Sequence, residues 1–186
     1  MTFSDNFDRP DSTTLGNGWV EVAGNLDIVS QHLENAAVAG DHMAAQPGLP
    51  AADQTVSADF TSSGNNLAPS FGLVLRCQDC GTPGVPPANY YRIYRSTGGS
   101  SLLKISKVVG GVETVLKTAS ISNPAAGSPF RLQGSATGTT LAVSVGTTQT
   151  SVTDGTFSSG AAGLVIHSAG GSTPVHQADN FQATFH

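Results

Sequence analysis

Residues 71–119 decide the fold: FGLVLRC (71–77), a Gly/Pro-rich loop, NYYRIYRS (89–96), a Gly/Ser turn, LLKISKVV (102–109), Gly110-Gly111 and VETVLKTA (112–119). Phe71, Leu73 and Leu75 alternate with Val74 and Arg76. Leu103, Ile105 and Val109 alternate with Lys104, Ser106 and Val108, and Val112, Thr114 and Leu116 with Glu113, Val115 and Lys117. A period of two is the signature of a strand. Gly110-Gly111 supplies the two positive-φ residues of a tight hairpin. That turn sets Val109 opposite Val112, Lys107 opposite Thr114 and Ile105 opposite Leu116. The result is an antiparallel meander with one apolar face, which needs a second layer to cover it.

Working outward, FSDNF (3–7), the segment from Trp19 to Ala23, Leu26 to Ser30, Leu33 to Val38, Met43 to Gln46 and Gln54 to Thr61 read as strands before the meander. Phe130 to Gln133, Thr139 to Val145, Thr148 to Thr153, Ala161 to His167 and Val175 to Phe185 read as strands after it. Turn residues separate them, and no stretch of ten carries a helical period. Twelve to fourteen short strands predict an all-β, two-sheet antiparallel jelly-roll sandwich, one domain over residues 1–186. Asp5-Asn6-Phe7 recurs as Asp179-Asn180-Phe181. The spacing is no repeat period, so the two terminal strands are expected side by side, closing the sandwich.

Composition narrows the function classes. Charged residues are 11% of the 186, against roughly 25% in soluble domains, and the net charge is −5 with eight basic residues scattered along the chain. No basic patch forms, so nucleic acid is not an expected partner. No apolar run is long enough to cross a membrane. MTFSDNFDRP lacks the basic and apolar regions of a secretory signal, so synthesis in a host cytoplasm without that export route is expected.

At this point a resemblance emerges. DNFDR, LGNGW, LDIVSQHLENA, FGLVLRC, NYYRIY, LLKISKVVGGVETVL and GLVIH…ADNFQATF, in that order, resemble the concanavalin A-like, laminin-G-like jelly rolls over the whole chain. The resemblance implies a lectin/glucanase-type sandwich. It leaves function open between lectin-like binding modules, glycan hydrolases and structural virion proteins, so function must come from sites.

Hydrolysis of a glycosidic bond needs two carboxylates roughly 5–10 Å apart. Glu21, Glu34 and Glu113 are the only glutamates, none in the E-x-D-x-x-E array of the glucanases, and Glu113 is the best single candidate. No catalytic residue is assigned and no enzyme is expected. Glycan binding needs aromatic platforms rimmed by polar groups. Tyr91 and Ile93 suit the core, which leaves Tyr90, Arg92 and Tyr94 as an expected exposed stripe and carbohydrate site. Calcium, seen in relatives, has weak candidates in Asp5, Asp8 and Asp179, which approach if the termini pair; no other cofactor is expected. Cys77 and Cys80 read as a disulfide or thiol pair on a surface loop, with little effect on stability when removed.

Two functions follow. The first is a non-enzymatic structural protein on a bacteriophage surface: a capsid cement, decoration or fibre-associated subunit, homo-oligomeric, with a trimer suited to a shell's local threefold positions. The turn with Ala125, Ala126 and Gly127 would allow close approach there. The alternative is an extracellular carbohydrate-binding module recognising a cell-surface or extracellular glycan.

Overall fold

The computed structural model describes residues 1–36, 38–62, 70–98, 100–122, 127–168 and 176–186. In chain order the strands are β1 (Thr2–Asp5), β2 (Val20–Ala23), β3 (Leu26–Val29), β4 (His32–Asn35), β5 (Gly40–Ala51), β6 (Gln54–Ser62), β7 (Ser70–Cys77), β8 (Tyr90–Gly98), β9 (Ser100–Val109), β10 (Val112–Ser120), β11 (Phe130–Thr137), β12 (Thr140–Val145), β13 (Thr148–Thr153), β14 (Gly160–Ser168) and β15 (His176–Phe185). No helix occurs among the described residues. The first sheet runs β13-β12-β11-β6-β15-β4-β3, with β1 added on β15, and the second runs β10-β9-β8-β7-β14-β5-β2. This is the expected two-sheet antiparallel jelly roll. Asp5 pairs with Phe181, so the two Asp-Asn-Phe tripeptides lie on adjacent strands.

The core forms between the sheets because both supply alternate apolar side chains. Phe60, Phe71 and Phe130 meet with ring centroids 5.5–5.9 Å apart, and Tyr91 and Ile93 are fully buried beside them. Such edge and tilted contacts favour aromatic pairs beyond the area they bury. Trp19 joins Phe181 edge-on at 4.8 Å, which ties the loop after β1 to the last strand.

Three local expectations change. Met43 to Gln46 belongs to a twelve-residue strand, β5, that continues through Pro47 and Pro50. In the hairpin, Val112 faces Val109 and Thr114 faces Lys107, but Ile105 faces Lys117. A bulge at Leu116 takes one extra residue into β10, which a pure period of two does not reveal. Arg76 does not follow the alternation outward. It adopts φ 49° at a register shift between β7 and β14 and is fully buried. The turn containing Ala125 and Ala126 lies outside the described residues.

Cys77 and Cys80 are joined in a disulfide, and both are buried, at 3% and 2% exposure. The expected surface pair is therefore corrected. Residues 78–89 cross the outer face of the second sheet. They bond to β2 through Gly84 N–H and Glu21 C=O (2.9 Å), and to the β9–β10 turn through Gly111 N–H and Ala88 C=O (3.0 Å). The cystine packs with Val22, Met43, Val74, Tyr90, Val108 and Val165 in a second, smaller apolar cluster. Closing so short a loop removes chain entropy worth about 2 kcal/mol. Replacing both cysteines with Ala should lower Tm by roughly 4–8 °C in a domain of this size. An unchanged Tm in calorimetry would show that the loop needs no staple.

His176 opens β15 in the core, edge-on to Phe71 at 5.1 Å, with Nδ1 lacking a partner among the described residues. Burial pushes its pKa down to about 4, with a smaller effect of His167. The fold thus holds it neutral, while the unfolded chain protonates near 6.5. Its stabilisation is complete above pH 6.5 and is lost as pH falls towards 4, by about 3 kcal/mol at roughly 1.4 kcal/mol per unit. Urea titrations at pH 7 and 4.5 should show a fall in the parent that His176→Phe largely removes. An equal fall in both would refute this assignment.

Candidate functional site

The outer face of the second sheet is built row by row by strand pairing. Tyr94 stands beside Gly72 on β7 and Lys104 on β9. Glycine is required at 72: a Cβ there would lie 2.8 Å from the Tyr94 Cβ and 3.0 Å from Val165 Cγ1. The space left by the missing side chain lets Arg92 lie across the sheet. Its guanidinium sits over the Tyr94 ring at 4.6 Å. It donates Nη1–H to Asp41 Oδ2 (3.1 Å) and Nη2–H to Asp41 Oδ1 (3.3 Å) and Ser70 Oγ (3.0 Å). Asp41 also meets His167 Nδ1 at 2.8 Å. On the far side the Tyr94 hydroxyl bonds to Glu113, which accepts from Ser106 Oγ at 2.6 Å. Lys104 Nζ lies over the Tyr94 ring at 5.6 Å.

The result is a continuous polar network, His167–Asp41–Arg92–Tyr94–Glu113–Ser106, laid across the sheet beside the smaller apolar cluster. Burial alone would raise the Asp41 pKa, but the His167 hydrogen bond and the Arg92 charge outweigh it and hold the carboxyl below its usual range. Burial and the Glu113 carboxylate push Tyr94 well above the ordinary tyrosine value. Burial pushes Tyr90 up to about 12. Asp41 is thus held ionised and Tyr94 neutral at neutral pH, and the two carboxylates, Asp41 and Glu113, are matched in number by the two cations, Arg92 and Lys104.

Tyr90, Arg92 and Tyr94 do share one face, as expected, but each is only 6% exposed. The open stripe is therefore corrected. Tyr90 lies in the cluster under the disulfide loop, and two cations lie over Tyr94. No sugar ring can stack there as on an open platform. The reachable groups are instead Asp41, at 34% side-chain exposure, His167, at 41%, and the exposed Glu113. Sequence reading missed Asp41 and His167, although the outward parity of Val165 and His167 on β14 places His167 on this face.

The terminal aspartates are not assembled for calcium. Asp5 accepts from Phe7 N–H (2.8 Å), Arg9 Nη1 (2.8 Å) and Nη2 (3.0 Å), Asn17 Nδ2 (3.1 Å) and Trp19 Nε1 (2.8 Å). Those five donors occupy the lone pairs a cation would need. Asp8 is exposed, and Asp179 accepts from Asn180 N–H at 2.7 Å. Among the described residues no three His, Cys, Asp or Glu side chains are arranged to hold a metal. Glu113, the best single hydrolytic carboxylate, and Asp41 stand on β10 and β5, five strand positions apart. In the network the Tyr94 ring and the Arg92 guanidinium stand between the two carboxylates.

No family model matches the chain, and no curated protein matches its sequence. Solved structures do. The carbohydrate-binding module CBM66 from Bacillus subtilis superposes with a TM-score of 0.72 at 18% identity, over 90% of this chain and 96% of that one. The β-glucanase of Bacillus licheniformis gives 0.67 at 12% identity, over 100% and 98%. The CBM2 module of the evolved Dit protein of Lactobacillus casei BL23 phage J-1 gives 0.61 at 10% identity, over 97% and 94%. At such identities the likeness establishes the fold, the concanavalin A-like, lectin-like jelly roll.

Proposed function

We propose that this protein binds a neutral carbohydrate on the outer face of its second sheet and does not cleave it. The observation that carries the reading is the Asp41–Arg92–Tyr94–Glu113 network. Sugar hydroxyls are recognised by carboxylates and guanidinium groups held rigidly in fixed directions, because preorganised groups pay little ordering entropy on binding. Asp41, His167 and Glu113 are the reachable members of the network, and the buried Arg92 and Tyr94 hold Asp41 and Glu113 in place. The balanced charge favours neutral over ionic ligands. The likeness to a carbohydrate-binding module of nearly the same extent supports the same reading.

The test is calorimetry and a glycan array with the full chain. Glu113→Gln and His167→Ala alter exposed groups and should each weaken binding of a neutral oligosaccharide at least tenfold, while the ligand stays intact over hours. Silence across neutral glycans, affinity untouched by both variants, or release of sugar would overturn it. A second reading, that the binding occurs from a bacteriophage particle on which this chain is an oligomeric surface subunit, draws on the likeness to the phage J-1 module. Mass spectrometry of purified virions would find the chain at fixed stoichiometry, and light scattering would give the mass of a trimer. A monomer absent from particles would sink that reading and leave the first intact.

A further inference from the structure

The first sheet carries its own pattern on the opposite side of the molecule. Strand pairing places Ser4 beside Gln182, Gln182 beside Ser57, Ser57 beside Gln133, Gln133 beside Ser144 and Ser144 beside Gln149. This row crosses six strands, and their core-facing neighbours, such as Ala183, Val56, Leu132 and Val143, fix it on the outer face. A second row runs parallel to it from Thr2 through Thr55 to Ser151. The only apolar side chain in either row is Ala142, and neither holds a charge.

Each end of the first row opens into a polar groove. One, of about 580 Å³, is lined by Gln133, Ser144, Gln149 and Ser151, with Lys117 entering from the edge of the other sheet. The other, of about 520 Å³, is lined by Ser4 and Gln182 and by Asn6, Asn17 and Asn180. Asn6 and Asn180 come from the two Asp-Asn-Phe tripeptides, which strand pairing brings together. Within that groove the Arg9 and Asp5 charges cancel in a fork-to-carboxylate pair. Between the grooves Arg131 pairs with Asp59 at 3.0 Å and donates Nη2–H to the buried Ser57 Oγ (2.7 Å), so the row is reached there over a neutralised guanidinium. The side-chain amides of Gln133, Gln149 and Gln182 make no intramolecular hydrogen bond among the described residues.

The geometry points to a second binding surface, for an extended neutral polysaccharide lying across the outer face of the first sheet from one groove to the other. Five strand spacings make the row roughly 24 Å long, a length suited to a chain and excessive for a single sugar. The amides of Gln133, Gln149 and Gln182 both donate and accept, which matches a polyhydroxylated ligand held by hydrogen bonds and not by stacking on an aromatic ring. A protein partner fits less well, because stable protein interfaces are anchored by aromatic, Met or Arg side chains in an apolar centre, and the rows offer none. This surface shares only its ligand class with the network on the second sheet and stands or falls separately.

Affinity electrophoresis tests it, with the full chain run through gels containing soluble xyloglucan, β-glucan or xylan and through a gel with none. Replacing Gln133, Gln149 and Gln182 together with Ala leaves the core untouched. It should cut retardation by at least one polysaccharide fivefold or more, while Glu113→Gln does not. Retardation unchanged by the triple variant but lost in Glu113→Gln would overturn the second surface and leave the first. No retardation in any gel would also overturn it. So would a triple variant that changes only the oligomeric mass in light scattering, since the rows would then join copies of the chain.

Discussion

Replacing Arg76 with Met should cost about 3–5 kcal/mol of unfolding free energy and lower Tm by roughly 10 °C or more. Arg76 is only 1% exposed and acts as an internal clamp. It donates Nε–H to Ala52 C=O (2.6 Å), Nη1–H to Phe157 C=O (2.9 Å) and Nη2–H to Asp53 Oδ1 (3.4 Å). Three separate segments thus converge on one guanidinium: β7, the β5–β6 turn and the loop before β14. Its own backbone N–H is held by Gln54 Oε1 at 3.1 Å, which fixes the positive φ. Methionine restores much of the volume but leaves the Ala52 and Phe157 carbonyls without their donors, and buried unpaired acceptors carry the full desolvation penalty. Urea unfolding should show a lower midpoint with an unchanged slope. A loss below about 1 kcal/mol would mean that water replaces the guanidinium at little cost.

Asp5→Ala should be comparably destabilising, by about 3–5 kcal/mol at neutral pH. The carboxylate is 5% exposed and gathers donors from Phe7, Arg9, Asn17 and Trp19. Alanine strands the indole N–H of Trp19 inside the aromatic cluster and leaves the Arg9 fork unpaired. The pH dependence identifies the cause. Burial would raise the Asp5 pKa, but the Arg9 bond and the three weaker donors together hold it below its usual value of 3.8. A depressed carboxyl pKa stabilises the fold above that value and loses its effect as pH falls through the folded-state value. The difference between parent and variant should therefore narrow in strong acid. A difference independent of pH would assign the loss to packing and not to the charge.

Much of this architecture is written locally. The Gly110-Gly111 turn, with φ of 59° and 79°, and the alternation in residues 71–119 determine strands, a hairpin and one apolar face. Those are short-range consequences of side-chain period and of the residues that tolerate positive φ. The paired Asp-Asn-Phe tripeptides likewise announce that the termini meet. Tertiary structure decided which polar residues remain reachable. Tyr90, Arg92 and Tyr94 have the parity of an outward stripe, but parity does not say whether another segment covers that face. Here the cystine-stapled loop covers Tyr90, and Asp41, three strands away in the sheet, draws Arg92 across Tyr94. The Leu116 bulge and the inward turn of Arg76 have the same origin. Each is a local break in the strand period, repaid by contacts with residues distant in sequence. The Gln and Ser row of the first sheet is the clearest case: six short segments from β1 to β15 line up only through strand register, which no single stretch of sequence contains.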